Sequence, residues 1–158
     1  MSDTGDLQLE RRDDVLRIRI ARPDHRNALT AAMTRALIDV LEDAAVDDAL
    51  RAVSIASVGA DFCSGADWVA TNRADAPRPR VGNQHRKQVF ESQRLVELVR
   101  TIELPVVCAV RGWAAGLGCH LALAADFTIA STTARFWEPF GQRGFTPDSG
   151  GTWLIPRL

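Results

Sequence analysis

Residues 113–127 read WAAGLGCHLALAADF. Gly116 and Gly118 precede an apolar run long enough for one buried helix, and His120 is the only polar residue in it before Asp126. Inside a helix each glycine costs about 1 kcal/mol relative to alanine. Two of them at a helix start have two uses: tight packing on a neighbour, or close approach of backbone to a ligand. In the second case the bare N–H groups of the first turn suit an anion or a developing oxyanion. A second corner of the same kind is DFCSGAD at 61–67. Each corner follows a strand-like run, RAVSIASV at 51–58 and VVCAV at 106–110. If those strands are neighbours, both corners fall outside the carboxyl ends of one sheet, where open α/β sheets bind ligands. One backbone N–H from each could then meet a single oxygen, each donor being worth ~3–4 kcal/mol to an oxyanionic transition state.

Two side chains could move protons beside such a hole. His120 has an imidazole, which titrates near neutral pH and suits general acid–base work; its other reading is a hydrogen-bonded helix residue. Asp148, in TPDSGG, would be a base if Phe140, Phe145 and Trp153 shielded it from water. Its other reading is the cap of a helix starting near Ser149. Cys63 sits in the first corner but has no histidine beside it in sequence, so it reads as a buried thiol rather than a nucleophile. Cys108 and Cys119 read as core. Three cysteines without metal-type spacing imply reduced thiols and a cytoplasmic protein.

The elements that must position these groups follow from pattern. LQLER (7–11) and VLRIRI (15–20) are strands around a turn at 12–14, the second with the alternation of a half-buried strand. Residues 30–46 space Met33, Leu37, Val40, Leu41 and Ala44 helically behind Thr30 as N-cap. Pro77, Pro79 and Gly82 make 69–82 a loop, expected to be mobile. A long amphipathic helix covers 84–103, and a helix follows over 116–124. Short strands are expected at 126–130 and 134–137, with another helix beginning at 149. Strands alternating with helices imply a layered α/β domain over the whole chain. A net charge of −1 gives no ground for nucleic-acid binding, and no apolar run reaches the ~18 residues of a membrane span. The polar, acidic start is not a secretory signal.

Four blocks, RPDHRNAL (22–29), DFCSGAD (61–67), VRGWAAGLGCHLALAADFTIAS (110–131) and GFTPDSGGTWLIPRL (144–158), resemble in order and spacing the signatures of the crotonase superfamily, the enoyl-CoA hydratase/isomerase family. The resemblance implies a ββα spiral core, a coenzyme A thioester as substrate, no other cofactor, and trimeric or hexameric assembly. It implies that the N–H groups of Ala66 and Leu117 hold the thioester oxygen. It also implies a coenzyme and substrate site around Arg26, Ser64, Gly65, Asp67, Gly116 and Phe140. Arg78, Arg80, Arg86 and Lys87 are further candidates for the coenzyme phosphates, or simply a solvated basic loop. Phe136, Trp137, Phe140 and Trp153 either wall an acyl pocket or fill core.

The departures are informative. The two glutamates of a hydratase fall at His120 and Phe140, and Phe140 transfers no proton. Double-bond isomerases of the family often place their single carboxylate at the position of Asp148. The expectation is therefore a thioester-enolate enzyme favouring isomerisation, with hydratase or other enolate chemistry through His120 as the second reading. A non-catalytic acyl-CoA-binding remnant is the third. Family members continue past PRL, so the chain is expected to lack a C-terminal helical region that a complementing polypeptide could supply. Trp153, Leu154 and Ile155 would then lie uncovered.

Overall fold

Alternation in VLRIRI turns Leu16, Ile18 and Ile20 to one buried face of β2 (Val15–Ile20). β2 returns antiparallel on β1 (Leu7–Arg12) through a turn in which Asp13 takes a left-handed φ of 55°. These strands belong to a computed structural model that describes residues 6–67, 80 and 82–158. β3 (Ala52–Ser57), β4 (Val106–Val110) and β6 (Phe127–Ala130) continue the sheet in parallel, giving the order β1-β2-β3-β4-β6. β3 and β4 are thus hydrogen-bonded neighbours, as the two-corner argument requires.

Helix α1 (Ala31–Ala45) starts where expected: Thr30 Oγ1 accepts from the Met33 N–H at 3.1 Å. Its core face is Met33, Leu37, Ile38, Leu41 and Ala44; burying a leucine such as Leu41 completely stabilises by about 1.5–3 kcal/mol. The long helix expected over 84–103 is α2 (Asn83–Gln88), a π-helical turn (Val89–Gln93) and α3 (Arg94–Thr101) in succession. α3 packs between α1 and α4 (Leu117–Ala124). Two elements differ from expectation. Trp113–Ala115 is a strand, β5, paired in parallel with β7 (Arg135–Trp137), because three residues are too few to show a period of two. The helix expected from 149 is one turn, α5 (Gly151–Leu154), which tightens into a 3-10 turn at Ile155–Arg157 containing Pro156. Leu154 is buried in the core, contrary to expectation, while Trp153 and Ile155 are exposed. The loop expected at 69–82 falls almost entirely outside the described residues. No helix of the described residues is long and apolar enough to cross a membrane.

Asn27 joins the first sequence block to the second. It is fully buried, with φ at 56°. Its Nδ2 donates to Val58 O at 2.8 Å and Asp61 O at 2.7 Å, and its Oδ1 accepts from Arg22 N at 2.9 Å. Nearby, Arg22 Nη1 reaches Asp67 Oδ2 at 2.7 Å. Asn27→Ala removes both donors and puts alanine in a left-handed conformation. Urea unfolding should show a loss of about 2–4 kcal/mol; a loss below about 1 kcal/mol would mean that Asn27 does not hold the 61–67 corner in place.

Candidate active site

The two glycine corners are bolted together by backbone. Cys63 N–H donates to Trp113 O and Ala115 N–H to Cys63 O, each at 2.9 Å, so Cys63 and Ala114 form a parallel bridge. Gly118 packs so closely that an added Cβ would overlap Cys63 O and lie 2.7 Å from Cys63 Cβ. A Cβ on Gly65 would lie 2.8 Å from Ala115 O and 3.6 Å from Leu117 N. The glycines therefore serve close packing between corners as well as backbone exposure. Gly116 adopts φ 51°, ψ −119°, which an L side chain resists, and its N–H is spent on Trp137 O.

The two expected donors lie one on each corner. On the first corner Leu29 N–H donates to Gly65 O and Asp67 N–H to Leu29 O, which turns the intervening Ala66 N–H the other way. On the second, Leu117 is the first residue of α4, where no intrahelical acceptor exists. Neither N–H has a hydrogen-bond partner among the described residues. Leu117 is buried, and buried backbone donors without a partner are rare.

One turn into α4, His120 is completely buried with both ring nitrogens engaged. Nδ1 lies 2.9 Å from Ser149 Oγ and Nε2 lies 3.0 Å from Glu138 Oε2. Phe140 stacks on the ring at 5.6 Å between centroids, 7° from parallel. A Cβ on Gly151 would overlap the imidazole, so the second glycine of DSGG lets backbone close over the histidine. Ser149 Oγ in turn donates to Asp148 Oδ1 at 3.1 Å. Gln88 Nε2 donates to Asp148 Oδ2 at 2.9 Å, and Gln93 Nε2 to Asp148 O at 2.8 Å. Asp148 lines a cleft of about 700 Å³ with Gln88, Gln93, Val96 and Trp153. Ala66 and Leu117 are not in its lining; His120 and Ser149 connect the two regions.

The remaining candidates separate. Arg26 is exposed in a left-handed turn, and its carbonyl accepts from Ser64 N–H at 3.0 Å, so these two lie together at the mouth of the first corner. The buried Asp67 carboxylate turns onto Arg22. Arg80, Arg86 and Lys87 are exposed, and Arg78 lies outside the described residues. Trp137 meets Trp113 edge-on, while Phe136, Phe145 and Trp153 are exposed. Glu138, Ser149, Gln88 and Gln93 were not singled out from sequence. The signal available for Glu138 was its place as the one carboxylate between β7 and Phe140. Among the described residues no cluster of three or more His, Cys, Asp or Glu could hold a metal ion. Burial pushes the thiols of Cys63, Cys108 and Cys119 up from 9.0 to about 12, with the Glu138 carboxylate adding to the effect at Cys119.

Residues 10–158 match the family model for enoyl-CoA hydratase/isomerase. The chain is 35% identical over 145 residues to a 1,2-epoxyphenylacetyl-CoA isomerase of Escherichia coli, covering 91% of this chain and 54% of the relative. It is 33% identical over 151 residues to a crotonyl-CoA hydratase of Syntrophomonas wolfei, covering 95% and 56%. Its fold matches the crystal structure of an enoyl-CoA hydratase from Mycobacterium avium subsp. paratuberculosis with a TM-score of 0.83 at 32% identity, over 98% of this chain and 59% of that one. The chain spans about half the length of the curated relatives it matches.

The raised thiols give a direct check. A disulfide reagent at pH 8 should label none of the three cysteines in the folded chain and all three after denaturation, because the thiolate is the reactive form. The unfolded thiols ionise near 9.0 and the folded ones only near 12. The unfolded chain therefore holds fewer protons in that window, and stability should fall as pH rises from 9 towards 12. Rapid labelling of the folded chain would contradict the burial.

Proposed function

Because the chain belongs to the enoyl-CoA hydratase/isomerase family, we propose that it provides the thioester-enolate site of an enoyl-CoA isomerase, with Asp148 as the single acid/base group. The observation that favours isomerisation over hydration is the contrast between the two titratable candidates. Asp148 lines an open cleft, with Ser149 and Gln88 donating to its two oxygens, whereas His120 is completely buried and Phe140 has no proton to give. Moving a double bond needs one base, which takes a proton from one carbon and returns it to another. Hydration needs a second group to activate water.

In this reading the thioester oxygen accepts from Ala66 and Leu117 N–H. The Asp148 carboxylate removes the α-proton of a β,γ-enoyl thioester, and the C–H electrons move into the dienolate, whose negative charge rests on that oxygen. The proton returns at the γ-carbon as the charge collapses, leaving an α,β double bond. The partial positive charge at the start of α4 adds to the stabilisation. Arg26 and Ser64 line the coenzyme side, Gly65 and the buried Asp67–Arg22 pair support that corner from behind, Gly116 shapes the second corner, and Phe140 borders the acyl side. The substrate is an acyl-CoA, no further cofactor is required, and the protein works in the cytoplasm as a trimer or hexamer. The relative named as a 1,2-epoxyphenylacetyl-CoA isomerase supports the isomerase side of the family, and the crotonyl-CoA hydratase marks the competing one.

Asp148→Asn keeps size and hydrogen-bonding capacity but cannot accept the proton. With a 3-enoyl-CoA substrate, kcat should fall by about 100- to 10,000-fold, the usual worth of a positioned acid/base group. His120→Gln should cost less. Steady-state assays with 3-enoyl- and 2-enoyl-CoA decide the matter: if His120→Gln stops turnover while Asp148→Asn leaves it intact, the isomerase reading is wrong.

A further inference from the structure

The side chains behind Asp148 form one uninterrupted line: Asp148 Oδ1, Ser149 Oγ at 3.1 Å, His120 Nδ1 at 2.9 Å from that hydroxyl, and Glu138 Oε2 at 3.0 Å from Nε2. Ser149 and His120 are completely buried. The other Glu138 oxygen, Oε1, is buried without a hydrogen-bond partner among the described residues, and the Cys119 thiol lies beside the carboxylate. We propose that Glu138, His120 and Ser149 are positioning residues that form a proton relay to Asp148, coupling the protonation of Asp148 to the buried His120 and, through it, to the partly exposed Glu138.

Counting protons gives the relay its direction. Ser149 has one hydroxyl hydrogen, and an ionised Asp148 has none to offer. Ser149 therefore donates to Asp148 and accepts from His120, which places a hydrogen on Nδ1. One further proton lies between Nε2 and Glu138 Oε2. In a second arrangement Asp148 holds a proton and Ser149 donates to Nδ1. The hydrogen of the ring is then on Nε2, facing a Glu138 carboxylate. Both arrangements contain three protons. They interconvert when the Nδ1 hydrogen passes to Ser149, the Ser149 hydrogen passes to Asp148, and the shared proton settles on Nε2. The charged and titratable groups around the ring are Glu138 from the segment after β7, Asp148 through Ser149, and Cys119 from α4, whose thiol faces Glu138. From α3, packed on α4, come Arg94, Glu97 and Arg100, which line the Asp148 cleft, Arg94 being paired with Glu42 and Glu97.

A relay differs from mere support in what the imidazole senses, so the test is nuclear magnetic resonance of the full chain with 15N-labelled histidine. The chain has three histidines, and the other two, His25 and His85, are exposed. At neutral pH the His120 Nδ1 should be protonated. As temperature changes the balance of the two arrangements, both its ring nitrogens should shift together, a step that Asp148→Asn abolishes. Ser149→Ala should keep the fold but remove that step, and Glu138→Gln should hold the ring as the Nδ1–H tautomer throughout. A bare Nδ1 at neutral pH, or a step that survives in Ser149→Ala, would overturn the relay. If Ser149→Ala does not fold, loss of the step in Asp148→Asn together with the Glu138→Gln tautomer decides the question alone. The proposal rests on the isomerase reading only for its link to catalysis, where Glu138→Gln should move the pH profile of kcat while leaving KM unchanged. Ring coupling without any effect of Asp148→Asn on turnover would keep the relay and discard the isomerase reading.

Discussion

Two backbone hydrogen bonds, Cys63 N–H to Trp113 O and Ala115 N–H to Cys63 O, fix the register on which the site depends. They join the chain leaving β3 to the chain leaving β4, strands already paired in the sheet. With the register set, only glycine fits at 118, because any side chain would run into Cys63. Gly116 must then make its left-handed turn, and Leu117 must open α4 at that point. The unpartnered N–H groups of Ala66 and Leu117 are consequences of this geometry. Asn27 and the Arg22–Asp67 pair extend it to the first sequence block, so that three segments far apart in sequence share one hydrogen-bonded edge.

The same helix takes the constraint to the second half of the site. His120 sits about 4.5 Å along α4 from Leu117, at 1.5 Å of rise per residue. Its ring nitrogens reach Ser149 on one side and Glu138 on the other, so the position of Asp148 is tied to the corners through a fully buried imidazole. A buried polar network is costly unless each member is satisfied. Here the ring is satisfied at both nitrogens, and the residual cost falls on Glu138 Oε1. A chain that retains such a cost beside an unpaired pair of backbone donors resembles a working site more than a packed core.

Much of this was legible in the sequence because it depends on local chemistry. The alternation in VLRIRI, the Thr30 cap and the glycine corners each report a backbone need at the residue that bears it. The adjacency of β3 and β4 was a condition of the two-corner reading that the sheet pairing supplies, and the four blocks together pointed to the family. What escaped depends on contacts between segments. β5 is three residues long and exists because Cys63 and β7 pair with it. The π-helical turn at Val89–Gln93 has no residue type that signals it. Glu138 was passed over because its partner, His120, lies 18 residues earlier and on another element. His120 read as a helix residue or as an acid/base group; the structure shows it hydrogen-bonded to Ser149 and Glu138, one residue away from the carboxylate that lines the cleft.

The central claim is that Ala66 and Leu117 present their N–H groups to one thioester oxygen. It is tested most directly by following the backbone amide resonances of both residues while a non-reactive saturated acyl-CoA is titrated into the 15N-labelled chain. Both resonances should move downfield together along one saturable curve, as two donors bonding to one acceptor must. Saturation of the chain with acyl-CoA while either amide stays at its unliganded position would contradict it.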